Sequence, residues 1–261
     1  MRILVCAKQV PNTNNVKIDP VKGTLIRDGV ESILNPDDAN ALEEALRIKE
    51  ENPGTTVAVL SMGPFQADIM LRECLAMGAD EAILLSDRAF AGADTWATSN
   101  ALAAAIRQYG PVDIVFCGRQ AIDGDTAQVG PQIAERLGIP QVTYVQKVEV
   151  NGDTLTIERK LEDGYQLIEV KTPVLLSAVK ELNTPRYMSV SGIFDAYEKD
   201  VTIWSVRDVP VDPTQVGLDA SPDKVLRSFT PAPKGAGTMF RGAPKEIASE
   251  LISALTEKHI V

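Results

Sequence analysis

Histidine is nearly absent from this chain of 261 residues, in which the single histidine is His259, close to the C-terminus. Ser-His-Asp or Cys-His catalysis and a histidine-ligated zinc site are therefore poor explanations of its chemistry, because each requires an imidazole inside a folded site. The sequence also contains neither a Walker A loop nor a Gly-x-Ser-x-Gly nucleophile elbow. These absences argue against hydrolysis by ordinary side-chain chemistry.

Basic charge, long apolar runs and paired cysteines are also scarce. The chain has 26 lysines and arginines against 36 aspartates and glutamates, a net charge of −10, and no basic stretch favours nucleic-acid binding. No apolar run is long enough to predict a membrane span, and the N-terminus opens with a strand-like run rather than a secretory signal. Cys6, Cys74 and Cys117 form no Cys-x-x-Cys pair, which is typical of reduced core thiols. We therefore expect a cytoplasmic protein without nucleic-acid or membrane partners.

Strand and helix patterns alternate along the first half of the chain. Apolar, β-rich runs occupy residues 2–7, 55–60, 82–85 and 113–117, and residues 16–18 and 24–27 flank a Pro/Gly turn that predicts a hairpin. Helical patterns follow, beginning at Asn35-Pro36, Gly63-Pro64, Asp94-Thr95 and Asp125. This alternation, with continuously apolar strands, predicts an α/β fold with a doubly wound, mostly parallel, Rossmann-like sheet.

The pattern changes after Pro140. Residues 142–150, 155–159 and 168–178 predict strands, and Asn151-Gly152 predicts a hairpin turn between the first two, so we expect added antiparallel hairpin strands. Beyond Leu182 prolines recur with little periodicity until a helical pattern at residues 244–257. The pattern predicts a core with its hairpin extension up to residue 183, followed by a long arm that lies on a partner chain.

The most informative segment is the glycine-bearing loop at residues 118–130, which leads from a strand into a helix. The free backbone N–H groups of such a helix start form an anion site, to which Arg119, Thr126 and Gln128 add donors. Asp123 and Asp125 argue the other way, because carboxylates repel phosphate. A plain loop with Asp125 as the helix N-cap is the alternative.

Three further turns precede helices: Asn35-Pro36-Asp37-Asp38, Met62-Gly63-Pro64 and residues 92–98, the last with hydroxyls at Thr95 and Thr98. Each turn alone is typical of ordinary helix capping. The carboxyl ends of parallel strands share one edge of the sheet, where such folds bind their ligands. Together the four turns predict a nucleotide lying along that edge.

Several of these segments match one family. The sequence resembles the small (beta) subunit of electron transfer flavoproteins over essentially its whole length. The matching pieces are residues 5–11, the Asn35-Pro36 helix start, residues 76–80, residues 118–125, the hairpin region at residues 157–177 and residues 183–187.

The resemblance implies a heterodimer with an alpha subunit that carries its own FAD. In most of the family the beta subunit holds AMP as a structural ligand. In the electron-bifurcating branch FAD occupies that pocket, accepts a hydride from NADH, and divides the electrons between a high-potential acceptor, such as an acyl-CoA dehydrogenase, and a ferredoxin or flavodoxin. Residues 92–98 resemble the bifurcating branch, and Asp37-Asp38 replace bulkier residues of the AMP-binding type. We therefore expect FAD here, with AMP as the alternative.

The resemblance also assigns residues to this pocket. Cys6 is expected to touch the nucleotide through its backbone, Met62 to lie near it, Thr95 and Thr98 to lie on the flavin side, and the loop to surround the phosphates. The cofactor-binding residues predicted in this way are Cys6, Asn35, Pro36, Asp37, Asp38, Met62, Asp94, Thr95, Thr98, Arg119, Gln120, Ala121, Ile122, Asp123, Gly124, Asp125, Thr126, Ala127, Gln128, Val129 and Gly130.

A third hypothesis, from a different class, is a free-standing adenine-nucleotide binder without redox chemistry. The segment after Leu182 argues against it, because Ile203, Trp204 and Leu226 would need a partner chain to cover them. The family resemblance implies a nucleotide-binding core with its hairpin extension at residues 1–183, a partner-recognition loop at 184–200 and a C-terminal arm on the alpha subunit at 201–261. Residues 184–199 are expected to face the acceptor flavoprotein, with Val190 nearest the expected apolar anchor. Leucine is usual at that anchor in relatives that serve acyl-CoA dehydrogenases, so the acceptor stays open.

Overall fold

The computed structural model describes residues 1–12, 17–18, 25–26, 31–226 and 235–261. These residues form two compact units, Met1–Leu226 and Arg227–Val261. In chain order the elements are β1 Arg2–Cys6, β2 Gln9–Pro11, β3 Lys17–Ile18, β4 Leu25–Ile26, β5 Ser32–Leu34, α1 Pro36–Glu51, β6 Thr56–Met62, α2 Ala67–Met77, β7 Glu81–Leu85, α3 Thr95–Tyr109, β8 Ile114–Gly118, α4 Val129–Leu137, β9 Gln141–Asn151, β10 Thr154–Lys160, β11 Tyr165–Lys171, β12 Val174–Ala178, α5 Val190–Glu198, β13 Val201–Trp204, α6 Gly217–Ala220 and α7 Pro244–Glu257.

Nine strands form the central sheet in the order β11-β10-β9-β12-β8-β1-β6-β7-β13. All pairings from β9 across to β13 are parallel, whereas β9, β10 and β11 pair antiparallel. The chain runs from β1 to β6 and β7 on one side and then returns to β8 on the other. The gap between β1 and β8 is therefore the topological switch point, where such sheets bind ligands.

The helices cover both faces of the sheet. In β1, Ile3 and Val5 pack in a core with α1 and α2, while Leu4 and Cys6 pack in a second core with α3 and α4. Successive side chains of a strand point to opposite faces, so a strand covered on both sides must be apolar throughout. This confirms the predicted α/β fold and explains the uninterrupted apolar runs.

The structure also corrects several predicted boundaries. The single strand expected at residues 168–178 is two strands, β11 on the antiparallel edge and β12 in the parallel part of the sheet, separated at Thr172-Pro173. The helix expected from Asp125 begins instead at Val129, with Gln128 as its N-cap. The hairpin strands β3 and β4 pair as predicted, while their turn at residues 20–23 lies outside the described residues.

The segment after Leu182 contains more structure than its sequence predicts. Residues 184–200, expected as a loop, include the helix α5. Residues 201–204, expected in the arm, form β13 and extend the sheet beside β7, and Val209 and Val216 are buried in the second core. In the second unit, α7 spans Pro244–Glu257, as the sequence predicts. No helix among the described residues has both the length and the apolarity needed to cross a bilayer.

Candidate functional site

The carboxyl ends of β1 and β8 are joined by one buried side chain. Asp38, in the first turn of α1, accepts hydrogen bonds from the backbone N–H groups of Lys8 and Gly118, both at 2.8 Å. Only 6% of Asp38 is exposed, and this burial raises the pKa of its carboxyl from the usual 3.8 to about 7, while the two N–H groups act in the opposite direction. Asp38 thus holds the two strand ends together at the switch point.

Asn35 fastens the loop that follows β8. It occupies the N-cap position of α1 without capping its own helix. Its amide instead donates to the carbonyl of Gln120 at 2.9 Å and accepts from the N–H of Ile122 at 3.1 Å. Because the side chain is fully buried and both its NH2 group and its oxygen are hydrogen-bonded to the loop backbone, Asn35 acts here as a structural brace for the loop.

The two aspartates of the loop that oppose phosphate binding form pairs within the protein. Asp123 forms an ion pair with Lys8 at 2.7 Å, and Asp125 accepts from the side chain of Gln120 at 2.8 Å. Asp125 and Ala127 have φ values of 51° and 53°, a left-handed conformation that costs non-glycine residues energy and is concentrated at functional sites. The loop is therefore held in a defined, strained shape, and its local conformation explains why α4 starts late.

The starts of α3 and α4 lie side by side. The Thr95 hydroxyl donates to the side-chain oxygen of Gln128 at 3.0 Å, and one turn further Gln132 donates to Thr95 at 3.3 Å. Gln128 makes no capping bond to α4, so the backbone N–H groups of Val129 and Gly130 at this helix start have no side-chain acceptor from the N-cap. Such N–H groups, beside a hydroxyl and an amide, suit an anionic group of a nucleotide.

Asp94 is the N-cap residue of α3. Its carboxylate accepts from the N–H of Ala97 at 2.9 Å and from the N–H of Asp223 at 3.0 Å, and its own N–H donates to Ser221. The segment around Ser221 therefore fixes the start of α3, a role that the sequence does not reveal because the partners are about 130 residues apart. Thr98 lies half-buried in the first turn of the same helix.

Arg119 and Asp37 line a cleft whose walls do not include the Thr95–Gln128 pair. The Arg119 guanidinium reaches Asp37 at 3.4 Å, and both residues line a cleft of about 610 Å³ that extends toward β9, β10 and β12. The cleft lining includes no loop residue beyond Arg119. The structure places Arg119 along this cleft, and its expected contact with the nucleotide phosphates stays a prediction.

The sulfur-containing side chains of Cys6 and Met62 belong to the second core. Burial raises the pKa of the Cys6 thiol to about 12, so the thiol stays neutral, and Met62 packs against the second core. Within the described residues no group of histidine, cysteine and carboxylate side chains suits a metal ion. The described residues of the site offer hydrogen-bonding side chains and helix starts.

The fold and the site together define a class of protein: a doubly wound α/β protein whose polar side chains and helix starts gather at the switch point of a parallel sheet, where such folds bind ligands. The sequence model of the electron transfer flavoprotein domain matches residues 22–209, and the chain belongs to the electron transfer flavoprotein family.

Relatives match the whole chain. It is 64% identical over 262 residues, all of both chains, to the caffeyl-CoA reductase-Etf complex subunit CarD of Acetobacterium woodii. It is 62% identical over 261 residues, again all of both chains, to the electron transfer flavoprotein subunit beta of Clostridium acetobutylicum. It is 48% identical over 269 residues, all of both chains, to the acryloyl-CoA reductase electron transfer subunit gamma of Anaerotignum propionicum. The predicted membership of the small-subunit family is thereby confirmed.

Proposed function

We propose that this chain is the small subunit of an electron-bifurcating electron transfer flavoprotein and that its switch-point pocket holds FAD. The observation that carries the proposal is the uncapped start of α4 beside the Thr95 hydroxyl. A phosphate at the α4 start leaves the polar surface of α3 free for the other half of a dinucleotide. AMP, which ends at its phosphate, would leave that surface unused.

In this proposal the chain supplies position and electrostatics. Asp38 and Asn35 hold the loop against β1, the α4 start faces the phosphates, and Thr95 and Thr98 face the flavin half. Bound FAD would supply the redox chemistry, accepting a hydride from NADH and releasing two electrons singly, one through the alpha-subunit FAD to an acceptor such as an acyl-CoA dehydrogenase and one to a ferredoxin or flavodoxin.

A nucleotide count on the co-expressed heterodimer separates this proposal from its alternative. Acid release followed by chromatography should give about two FAD per heterodimer and no AMP, since each subunit would hold one flavin. One FAD and one AMP would instead make this chain the structural subunit of a conventional single-electron shuttle. Anaerobic addition of NADH should bleach the flavin only in the bifurcating protein.

The double substitution Thr95→Val, Thr98→Val tests the flavin half of the pocket. Both changes keep the side-chain shape and remove the hydroxyls, so we expect the FAD content to fall by about one per heterodimer while the alpha-subunit FAD stays bound. Thr202→Val, on an exposed position of β13, is the matched control and should retain full flavin. Unchanged FAD content in the double variant would remove Thr95 and Thr98 from the site.

The proposed partners are an alpha subunit, an acyl-CoA dehydrogenase-type acceptor and a ferredoxin or flavodoxin. Two relatives carry names of acyl-CoA reductase complexes, which supports an acceptor of that type. Val190 and Phe194 on α5 are 75% and 72% exposed, which supports acceptor docking at this helix. In the second unit, Leu251 and Ile252 of α7 are exposed and would be covered by the alpha subunit.

Gly192→Ala should separate acceptor docking from nucleotide binding. A methyl group at position 192 would collide with the backbone carbonyl of Ala76 in α2, so α5 would have to move away from α2. We expect normal nucleotide content and NADH reduction but at least about a tenfold slower reduction of a purified acyl-CoA dehydrogenase-type acceptor. Ser191→Ala, its exposed neighbour, should behave as wild type. Equal rates for the two variants would place docking elsewhere.

A cytoplasmic location forms part of the proposal. All three cysteines are free and buried, as suits a protein that works in a reducing compartment.

A further inference from the structure

The cleft that contains Arg119 is rich in cations for a protein with a net charge of −10. Four cationic side chains line it, together with three carboxylates and a tyrosine: Asp37, Arg119, Tyr144, Arg159, Lys160, Glu162, Lys180 and Glu181. Lys160 and Glu181 neutralise each other at 2.6 Å. Within the described part of the chain, Arg159 and Lys180 form no ion pair, so the cleft retains positive charge that it could share with a ligand.

Two guanidinium groups in the cleft have buried, unpaired donors. The Nε atoms of Arg119 and Arg159 are shielded from solvent and have no hydrogen-bond acceptor among the described residues. The Asp37 carboxylate is 3.4 Å from the Arg119 Nε but does not lie in line for a hydrogen bond. A buried donor without an acceptor costs about 1–3 kcal/mol, and such groups are rare in folded proteins because protein atoms, water or a ligand complete them.

Strand β9 is deformed where it borders the cleft. Thr143 and Tyr144 together face the single residue Ser177 of β12, and Tyr144 has a φ of 57°, which is strained for an aromatic residue. On the other side, Gln146 is an extra residue between the partners of Glu158 and Arg159 in β10. Bulges redirect side chains and are frequent beside binding sites, and these two border Tyr144 and Arg159.

We propose that this cleft is a second anion site, distinct from the loop and the α4 start, which binds the phosphate or pyrophosphate group of a small molecule through Arg119 and Arg159. A guanidinium group can donate two parallel hydrogen bonds to two oxygens of one phosphate. The Tyr144 hydroxyl and the Lys180 ammonium, which also line the cleft, add further donors. A volume of about 610 Å³ exceeds the size of a bare phosphate and accommodates a phosphorylated ligand. The site does not depend on which nucleotide occupies the switch-point pocket.

The test is calorimetric titration of the intact heterodimer with inorganic pyrophosphate. We expect saturable binding whose affinity falls about tenfold or more in Arg159→Gln. Arg159→Lys should retain part of the affinity, because lysine keeps the positive charge but cannot donate two parallel hydrogen bonds. Arg207→Gln, at an exposed position outside the cleft, is the control and should bind as wild type. The acid-released nucleotide content should be the same in all four proteins, so a failure of the FAD proposal would be seen separately.

A second arm identifies the source of the phosphate group. If NADH displaces pyrophosphate, the natural ligand is a dinucleotide, and if it does not, the ligand is another phosphorylated molecule. The absence of saturable pyrophosphate binding to the heterodimer would overturn the proposal. Equal affinities of wild type and Arg159→Gln would overturn it as well.

Discussion

The Asp38→Asn variant is expected to lose a pH dependence of stability that the wild-type chain shows between about pH 4 and pH 7. In the folded chain burial raises the pKa of this carboxyl to about 7, whereas in the unfolded chain it stays near 3.8. Between these values the folded state binds a proton that the unfolded state lacks. The free energy of unfolding of the wild type therefore falls as pH rises and levels off above the folded pKa.

The size of this effect makes it easy to measure. Within that window each pH unit changes the free energy of unfolding by up to about 1.4 kcal/mol for one such group. Urea unfolding of wild type and variant at several pH values gives the difference directly, and other carboxylates cancel in it. Asparagine offers one acceptor oxygen to the N–H groups of Lys8 and Gly118, so the variant should be less stable at low pH and gain relative to wild type as pH rises.

Asp153→Asn, at an exposed hairpin turn, serves as the control and should follow the wild-type curve. Parallel curves for wild type and Asp38→Asn across the window would show that Asp38 stays ionised in the folded chain. The ends of β1 and β8 would then be joined by a buried Asp38 carboxylate that stays ionised throughout this pH range.

Local signals in the sequence predict much of the fold. Asn35-Pro36 marks the start of α1, Pro244 marks the start of α7, and the continuous apolar runs identify the parallel strands. These features depend on residues within one or two turns of the chain, where capping and periodicity act. The family assignment rests on motifs of the same local kind.

Features that depend on residues far apart in the chain were not predicted from the sequence. β13 becomes a strand only because the edge of β7 is open to it, and Pro173 separates two strands because β12 pairs between β8 and β9. Asp38, at the start of α1, is also held by a distant partner, since Gly118, 80 residues away, supplies one of its two donors. Arg119 likewise lines a cleft whose other walls come from β9, β10 and the segment after β12, which the local sequence does not reveal.

Gly118→Ala is expected to have the largest effect on the site. Gly118 ends β8 directly beneath the first turn of α1, and an added Cβ would lie 2.5 Å from the Asp38 carboxylate and 2.7 Å from the backbone carbon of Asp37. Real Cβ contacts with backbone atoms are not this short, so either α1 or the end of β8 must move. Movement at this point breaks the hydrogen bond from Gly118 to Asp38 and opens the switch point.

We expect Gly118→Ala to lower the free energy of unfolding by about 3 kcal/mol and to abolish nucleotide retention in this subunit. Gly164→Ala, in the loop between β10 and β11 and outside the nucleotide site, is the control, since a Cβ there meets no atom within 4 Å. Urea unfolding and the acid-released nucleotide count measure both effects. A Gly118→Ala protein with full nucleotide content would mean that the strand ends can separate without disturbing the pocket. The hydrogen bond from Gly118 to Asp38 would then have no part in nucleotide binding. Loss of nucleotide in Gly118→Ala, with full content in the control, would show that binding depends on the contact between α1 and β8.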